Sequence, residues 1–145
     1  MRVVVQRSKE ASVTVDNKIV GKIDRGMVLL VGFTEGDDSK TIDYMIDKIL
    51  NLRIYDDENG VMNKSLLDTQ GSILSISQFT LYADTSKGRR PSYVNALSGD
   101  KATLLYDEFN KKIKDMNVNI ETGIFGADMK VSLINDGPVT ILLEK

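Results

Sequence analysis

The sequence predicts a mixed α/β fold, β-sheets covered by helices, in a single domain over residues 1–145. Three observations predict it. β-branched runs with hairpin connections fill the first 33 residues, two later stretches repeat their apolar residues at helical spacing, and further strand patterns lie between and after those stretches. With 145 residues, 41% of them apolar, the chain is long enough to bury one core and too short for two.

From Arg2 to Phe33 the expected order is V-V-V-Q, then A-S-V-T-V beyond a kink, a turn at Asp16-Asn17, K-I-V-G-K-I, a turn at Arg25-Gly26, and M-V-L-L-V-G-F. The last run is apolar throughout, which suits a central strand covered on both faces. After T-E-G-D-D, Ile42, Met45, Ile46 and Ile49 mark one face of a helix, with Asp38 or Ser39 placed to cap its first turn. L-R-I-Y leads into D-D-E-N-G, where Asn59-Gly60 suits a tight hairpin. Its acidic residues do not form a calcium loop of the EF-hand kind: counting from Asp56, the twelfth position, which that loop needs as Glu, is Leu67.

S-I-L-S-I-S-Q-F-T-L-Y-A-D reads as the next strand, followed by the basic loop T-S-K-G-R-R-P-S. Leu105, Phe109, Ile113 and Met116 predict a second helix, capped near Asp100. V-N-I-E, the loop T-G-I-F-G-A-D and two strands on either side of Gly137-Pro138 complete the chain.

Composition excludes much chemistry. There is no Cys and no His, so Ser-His-Asp and Cys-His machinery, Cys/His zinc sites and thiol redox are ruled out. A general base must be a carboxylate, a shifted Lys or Tyr, or a group of the substrate itself. The formal net charge of −2 argues against non-specific coating of nucleic acid. M-R-V-V-V-Q-R enters a strand pattern at once, and no apolar run approaches the ~20 residues that span a bilayer, so a cytoplasmic protein is expected.

Two stretches carry candidate chemistry. In S-Q-F-T, Ser77 to Thr80, strand alternation puts Ser75, Ser77 and Phe79 on one face and Ile76, Gln78 and Thr80 on the other. Either these groups line a pocket, or this is a strand end whose hydroxyls satisfy the backbone. In N-D-G-P, a proline interrupts a strand ladder to which it donates nothing. Gly137-Pro138 is either a cis corner that turns two carbonyl oxygens to one side, or an ordinary trans turn. Lys87, Arg89 and Arg90 either hold phosphates or are simply solvated, and Lys111, Lys112 and Lys114 are weaker candidates for the same role.

S-Q-F-T-L-Y-A-D at 77–84, G-R-R-P at 88–91, F-G-A-D-M at 125–129 and N-D-G-P-V-T at 135–140, in that order, resemble the D-aminoacyl-tRNA deacylase (D-tyrosyl-tRNA deacylase) family. The N-terminal M-R-V-V-V-Q-R-S-K-E-A-S-V-T-V is similar to that family as well, so the likeness covers essentially the whole chain.

The resemblance implies a homodimer of three-layer α/β protomers, two stacked β-sheets with helices covering one side, and an active site at the subunit interface. It implies hydrolysis of the D-aminoacyl-tRNA ester, with tRNA as partner, no DNA, no membrane, no cofactor and no metal. Ser77, Gln78, Phe79 and Thr80 take the catalytic positions. Gly137 and Pro138, as a Gly-cisPro motif entering the other subunit's pocket, are substrate-binding together with Phe125 and Met129. Arg7 is expected either to brace the Gly-Pro turn or to be a surface arginine on an edge strand. Backbone N–H groups around Gln78 and Phe79 are the expected oxyanion donors, and the 2′-hydroxyl of the terminal adenosine the expected base. A side-chain-free glycyl ester, as on mischarged tRNA(Ala), is expected to pass a filter that excludes L side chains. The alternative is a dimeric RNA- or nucleotide-binding module without catalysis.

Overall fold

The computed structural model describes all residues, 1–145. Eight strands and three helices follow in the order β1 (Arg2–Val15), β2 (Lys18–Ile23), β3 (Gly26–Gly32), α1 (Ser39–Asn51), β4 (Tyr55–Asp56), β5 (Met62–Lys64), α2 (Leu66–Thr69), β6 (Ser72–Ser77), α3 (Gly99–Asp115), β7 (Ile120–Thr122) and β8 (Lys130–Glu144). No helix is long and apolar enough to cross a membrane.

Asp16 and Asn17 both take positive φ, 48° and 61°, and so form the tight β1–β2 hairpin turn that the sequence marks. Asp38 caps α1, its carboxylate accepting from Thr41 N–H. Residues Ile42, Met45, Ile46 and Ile49 then face the core as their spacing predicts. The β4–β5 turn differs from the expected two-residue form, since only Gly60 has positive φ, at 76°. Asp57 organises it instead, accepting from the N–H groups of Asn59 and Val61.

The long strands form one six-stranded sheet, and the only separate sheet is the small β4–β5 ribbon. That corrects the expectation of two distinct stacked sheets. β1 is long enough to serve two neighbourhoods: its first half pairs with β3, its second with β2, and β8 runs antiparallel along both. Val3 and Val5 accordingly pack beneath α1 and α3, in a core that includes Leu29, Ile49 and Phe109. Ala11 and Val13, beyond the bend, join a second core with Val28, Leu74 and Ile76. The two layers that looked like separate sheets are halves of one.

β3 lies between β1 and β6, with apolar neighbours on both faces, as its sequence requires. It runs parallel to β6, and β6 runs parallel to β7. Parallel neighbours need long crossovers, and α1 and α3 lie in those two connections and cover the same sheet face. The buried face of α3 is Ala102, Tyr106, Phe109 and Ile113, not the row through Leu105 and Met116, and its N-cap is Ser98, with Asp100 in the first turn. β8 is continuous through Gly137-Pro138, although its pairing with β1 is not.

Candidate active site

The strand expected to run on through Asp84 stops at Ser77. Gln78 N–H donates to Val31 O at 2.7 Å as the last rung. Beyond it β3 has ended, and β7 pairs no further than Ser75, so the backbone has no ladder left to join. Phe79–Tyr82 therefore closes into a 3₁₀ turn, with Leu81 N–H donating to Gln78 O and Ala83 N–H to Thr80 O. Tyr82 anchors the turn: it is 8% exposed, and the Arg2 guanidinium lies 4.5 Å from its ring centre. A Cβ at Gly32 would stand 2.8 Å from Gln78 O, so the turn packs closely only because that residue is glycine.

At this turn lies a mainly apolar cavity of about 260 Å³. It opens at the carboxyl ends of β3 and β6, where Val31, Gly32, Ile76 and Ser77 form one wall. Gln78 and Phe79 form the rim, and the F-G-A-D-M loop, with Phe125 and Met129, faces them. Phe33, Leu97 and Ala102 close it toward α3. Thr80 is joined to this group because the Gln78 side-chain amide donates to its Oγ1. The structure thus brings Ser77, Gln78, Phe79, Thr80, Phe125 and Met129 together. Gly32, Leu97 and Ala102 carry no motif and were not marked by the sequence.

Phe79 stands at the mouth, 56% exposed, in edge contact with Tyr93 at 5.1 Å between ring centres. The loop bearing Lys87, Arg89 and Arg90 is exposed beside this pair and is pinched at its base by reciprocal Asp84 and Ser92 backbone bonds. Below the pocket, the Tyr106 hydroxyl donates to Ser75 O at 2.8 Å, and its ring lies 5.8 Å from that of Phe125.

No group here is built to take a proton near neutrality. Burial pushes the Tyr106 phenol up, and that of Tyr82 up to about 12, so both stay protonated. Asp128 is the only carboxylate lining the cavity; its side chain is 88% exposed and paired with Lys130 at 2.7 Å. No three His, Cys, Asp or Glu side chains gather anywhere to hold a metal ion. What the turn does offer is backbone. Phe79 and Thr80 N–H, at its start, precede its first bond and have neither an acceptor within the turn nor a side-chain cap. Gln78 N–H, expected to share the oxyanion role, is already spent on Val31 O.

Gly137, Pro138 and Arg7 stand apart from this cavity. The register of β8 passes from Thr140 opposite Gln6 to Asn135 opposite Ser8, leaving Asp136, Gly137, Pro138 and Val139 to loop out past Arg7. The Gly137-Pro138 bond is cis, and both residues are exposed. Asn135 staples the corner: its Oδ1 accepts from Val139 N–H at 3.0 Å and its Nδ2 donates to Thr140 Oγ1 at 2.8 Å. Arg7 is no surface arginine. It is 9% exposed on a strand paired along both sides, donating from Nε to Asp136 O at 3.0 Å and from Nη1 to Ile54 O at 2.7 Å.

Fold and site together define a compact α/β protein whose pocket offers backbone donors and, as its one ionisable lining group, an exposed carboxylate paired with a lysine. The sequence model of the D-Tyr-tRNA(Tyr) deacylase family matches residues 4–144. A D-aminoacyl-tRNA deacylase of Bacillus cytotoxicus is 59% identical over 144 residues, 99% of both chains, and one of Bacillus cereus is 58% identical over the same length. Among solved structures, a c-Myc DNA unwinding element binding protein superposes with a TM-score of 0.94 at 41% identity, over 100% of this chain and 99% of its own. A probable eukaryotic D-amino acid tRNA deacylase, at 20% identity and TM-score 0.82 over 98% and 97% of the two chains, shares the fold. The chain belongs to the D-aminoacyl-tRNA deacylase family of hydrolases.

Proposed function

We propose that the protein is an editing enzyme that hydrolyses the ester of D-aminoacyl-tRNA in the cytoplasm, as a homodimer of three-layer protomers. The observation that carries this reading is the pair of N–H groups at the start of the turn, Phe79 and Thr80, beside a mainly apolar cavity whose one carboxylate, Asp128, is exposed and paired with Lys130. An aminoacyl ester is already activated. Positioning and a fixed oxyanion site supply the rate that a histidine would otherwise help to provide. Water attacks the ester carbonyl, the oxyanion is held by the two N–H groups, and collapse breaks the bond to the 3′ oxygen. The 2′-hydroxyl relays the proton that water loses to that oxygen, leaving free amino acid and tRNA.

Chirality is read by exclusion. Gly137 and Pro138 of one subunit enter the cavity of the other, and their carbonyl oxygens occupy the space an L side chain would need. Three features support that geometry: the corner leaves the ladder, is exposed, and belongs to β8, whose outer edge is unpaired and carries exposed Ile134 and Leu142. Kinetics on three esters test the filter. kcat/KM for a D-aminoacyl ester should exceed that for its L enantiomer by about a hundredfold or more, with the glycyl ester within about tenfold of the D form. An inert glycyl ester would count against exclusion by shape.

Thr80 is the remaining candidate nucleophile. Its hydroxyl accepts from the Gln78 amide, and no base touches it. A Thr80→Ala variant is expected to keep turnover within about tenfold of the parent. Loss of nearly all turnover, with no acyl-enzyme formed by the parent in a burst experiment, would leave positioning of water by the hydroxyl; a trapped acyl-enzyme would replace the substrate-assisted route with a covalent one.

The exposed Phe79–Tyr93 pair beside a basic loop favours one second reading, an RNA-binding module without catalysis. It predicts that D-aminoacyl-tRNA is bound and released intact, which the same assay decides.

A further inference from the structure

Behind the Gly137-Pro138 corner is a second cavity, of about 240 Å³, that the ester chemistry does not use. Arg7, Ser8 and Lys9 of β1 line it, with Arg25 from the β2–β3 turn, Tyr55 from β4, and Asp136. Three cations thus face one carboxylate. Asp136 is already engaged by Arg7 Nε and Lys9 Nζ, each at 3.8 Å, and nearby Asp56 by Arg7 Nη1 at 3.4 Å. Arg25 has no carboxylate partner and makes one hydrogen bond, from Nη2 to Thr69 O at 3.0 Å. The cavity therefore carries unbalanced positive charge.

Two hydroxyls in the same lining, Ser8 Oγ and Tyr55 OH, are buried without any partner, and Ser8 is only 3% exposed. Folded proteins rarely leave such groups unmatched, because each forfeits its bonds to water. Burial pushes the Tyr55 phenol far up, so it remains a donor at any physiological pH. The unused groups all lack the same thing: an acceptor carrying negative charge. The cavity is smaller than the roughly 300–1,000 Å³ of sites that hold whole cofactors.

We propose that this cavity binds a phosphate group, whose oxygens accept from Ser8 Oγ, Tyr55 OH and the Arg25 guanidinium. The phosphate is either a phosphodiester of the tRNA acceptor strand or a free phosphate. The first source rests on the proposed dimer, in which the corner in front of the cavity meets the partner's substrate; the second does not.

The test titrates the whole protein with inorganic phosphate at constant ionic strength, chloride balancing the charge, and reads thermal unfolding and ³¹P line width. A saturable rise in Tm with line broadening is expected. Tyr55→Phe and Ser8→Ala each remove a group that has no partner, so both should fold normally yet bind phosphate about tenfold more weakly, as should Arg25→Gln. Lys48→Gln, on the surface of α1, should bind as the parent does. A response that does not saturate, or one that the four variants share equally, overturns the proposal, and the cavity is then simply hydrated. In a second arm, phosphate that raises KM for a D-aminoacyl minihelix but not for D-aminoacyl-adenosine identifies the acceptor strand as the source. Saturable binding with both KM values unchanged identifies free phosphate. Saturable phosphate binding by a protein that cleaves no aminoacyl ester would sink the proposed function and leave this site standing.

Discussion

Replacing Gly137 by alanine is expected to lower kcat/KM for a D-aminoacyl ester about a hundredfold while leaving the protein folded. Gly137 has φ +125°, a region L side chains rarely adopt. A Cβ there would also lie 2.9 Å from Arg7 Nη2 and 3.0 Å from Val139 Cγ2. Backbone strain of this kind costs on the order of 1–3 kcal/mol, within the roughly 5–15 kcal/mol that holds a domain together. The corner relieves it by moving, and a displacement of about 1 Å at a reacting centre is enough for a hundredfold loss. Discrimination against the L ester should shrink as well, because in the proposed dimer the same carbonyl oxygens define the excluded space. Circular dichroism and steady-state kinetics on both enantiomers check the two parts separately. A folded variant with unchanged rates and unchanged selectivity would mean that the corner does not reach a substrate.

What the sequence makes legible is what its neighbours along the chain decide. Ile42, Met45, Ile46 and Ile49 lie within four turns of one helix, so their spacing alone identifies its buried face and narrows its cap to Asp38 or Ser39, of which the structure uses Asp38. Asp16-Asn17 likewise marks its own turn. Where distant segments decide, the pattern misleads. I-S-Q-F-T-L-Y alternates well enough to continue a strand, yet Gln78 meets the last available rung, and a 3₁₀ turn takes over. The row Leu105, Phe109, Ile113 and Met116 has helical spacing, but the position of the sheet selects Tyr106 over Leu105 and leaves Met116 52% exposed. Alternation along β1 is regular on both sides of its bend, and so conceals that Val5 and Val13 belong to different cores.

The candidate site divides in the same way. S-Q-F-T and F-G-A-D-M were marked by their residues, and all of them but Thr80, which hangs on the Gln78 amide, line one cavity, whereas its walls at Gly32, Leu97 and Ala102 are ordinary residues placed there by the fold. The donors moved by one position for a reason invisible in sequence: β3 consumes the Gln78 N–H, so the next two, Phe79 and Thr80, are the ones the turn leaves free. N-D-G-P announced a corner through its proline, but not what holds it. That work falls to Asn135 from within the motif, and to Arg7, some 130 residues earlier (129 from Asp136).

Arg7→Ala is expected to cost about 3 kcal/mol of stability, the loss typical of breaking a buried ionic group, and to lower Tm by about 10 °C for a chain of this size. The guanidinium joins three segments: its own β1, Ile54 just before β4, and Asp136 at the corner. Without it two carbonyls and a carboxylate lose their donor, and shortening to alanine adds a void beneath the corner. Arg7→Lys keeps the charge but not the fork that reaches Ile54 O and Asp136 O together, so it should recover less than half of the lost stability. Stability alone would not distinguish a bracing residue from any other buried arginine. The distinction lies in coupling: combined with Gly137→Ala, Arg7→Ala should cost far less selectivity than the two single losses predict, because each removes the same constraint on the same four looped-out residues. Additive losses in the D-to-L ratio of kcat/KM would show that Arg7 supports the fold without setting the corner.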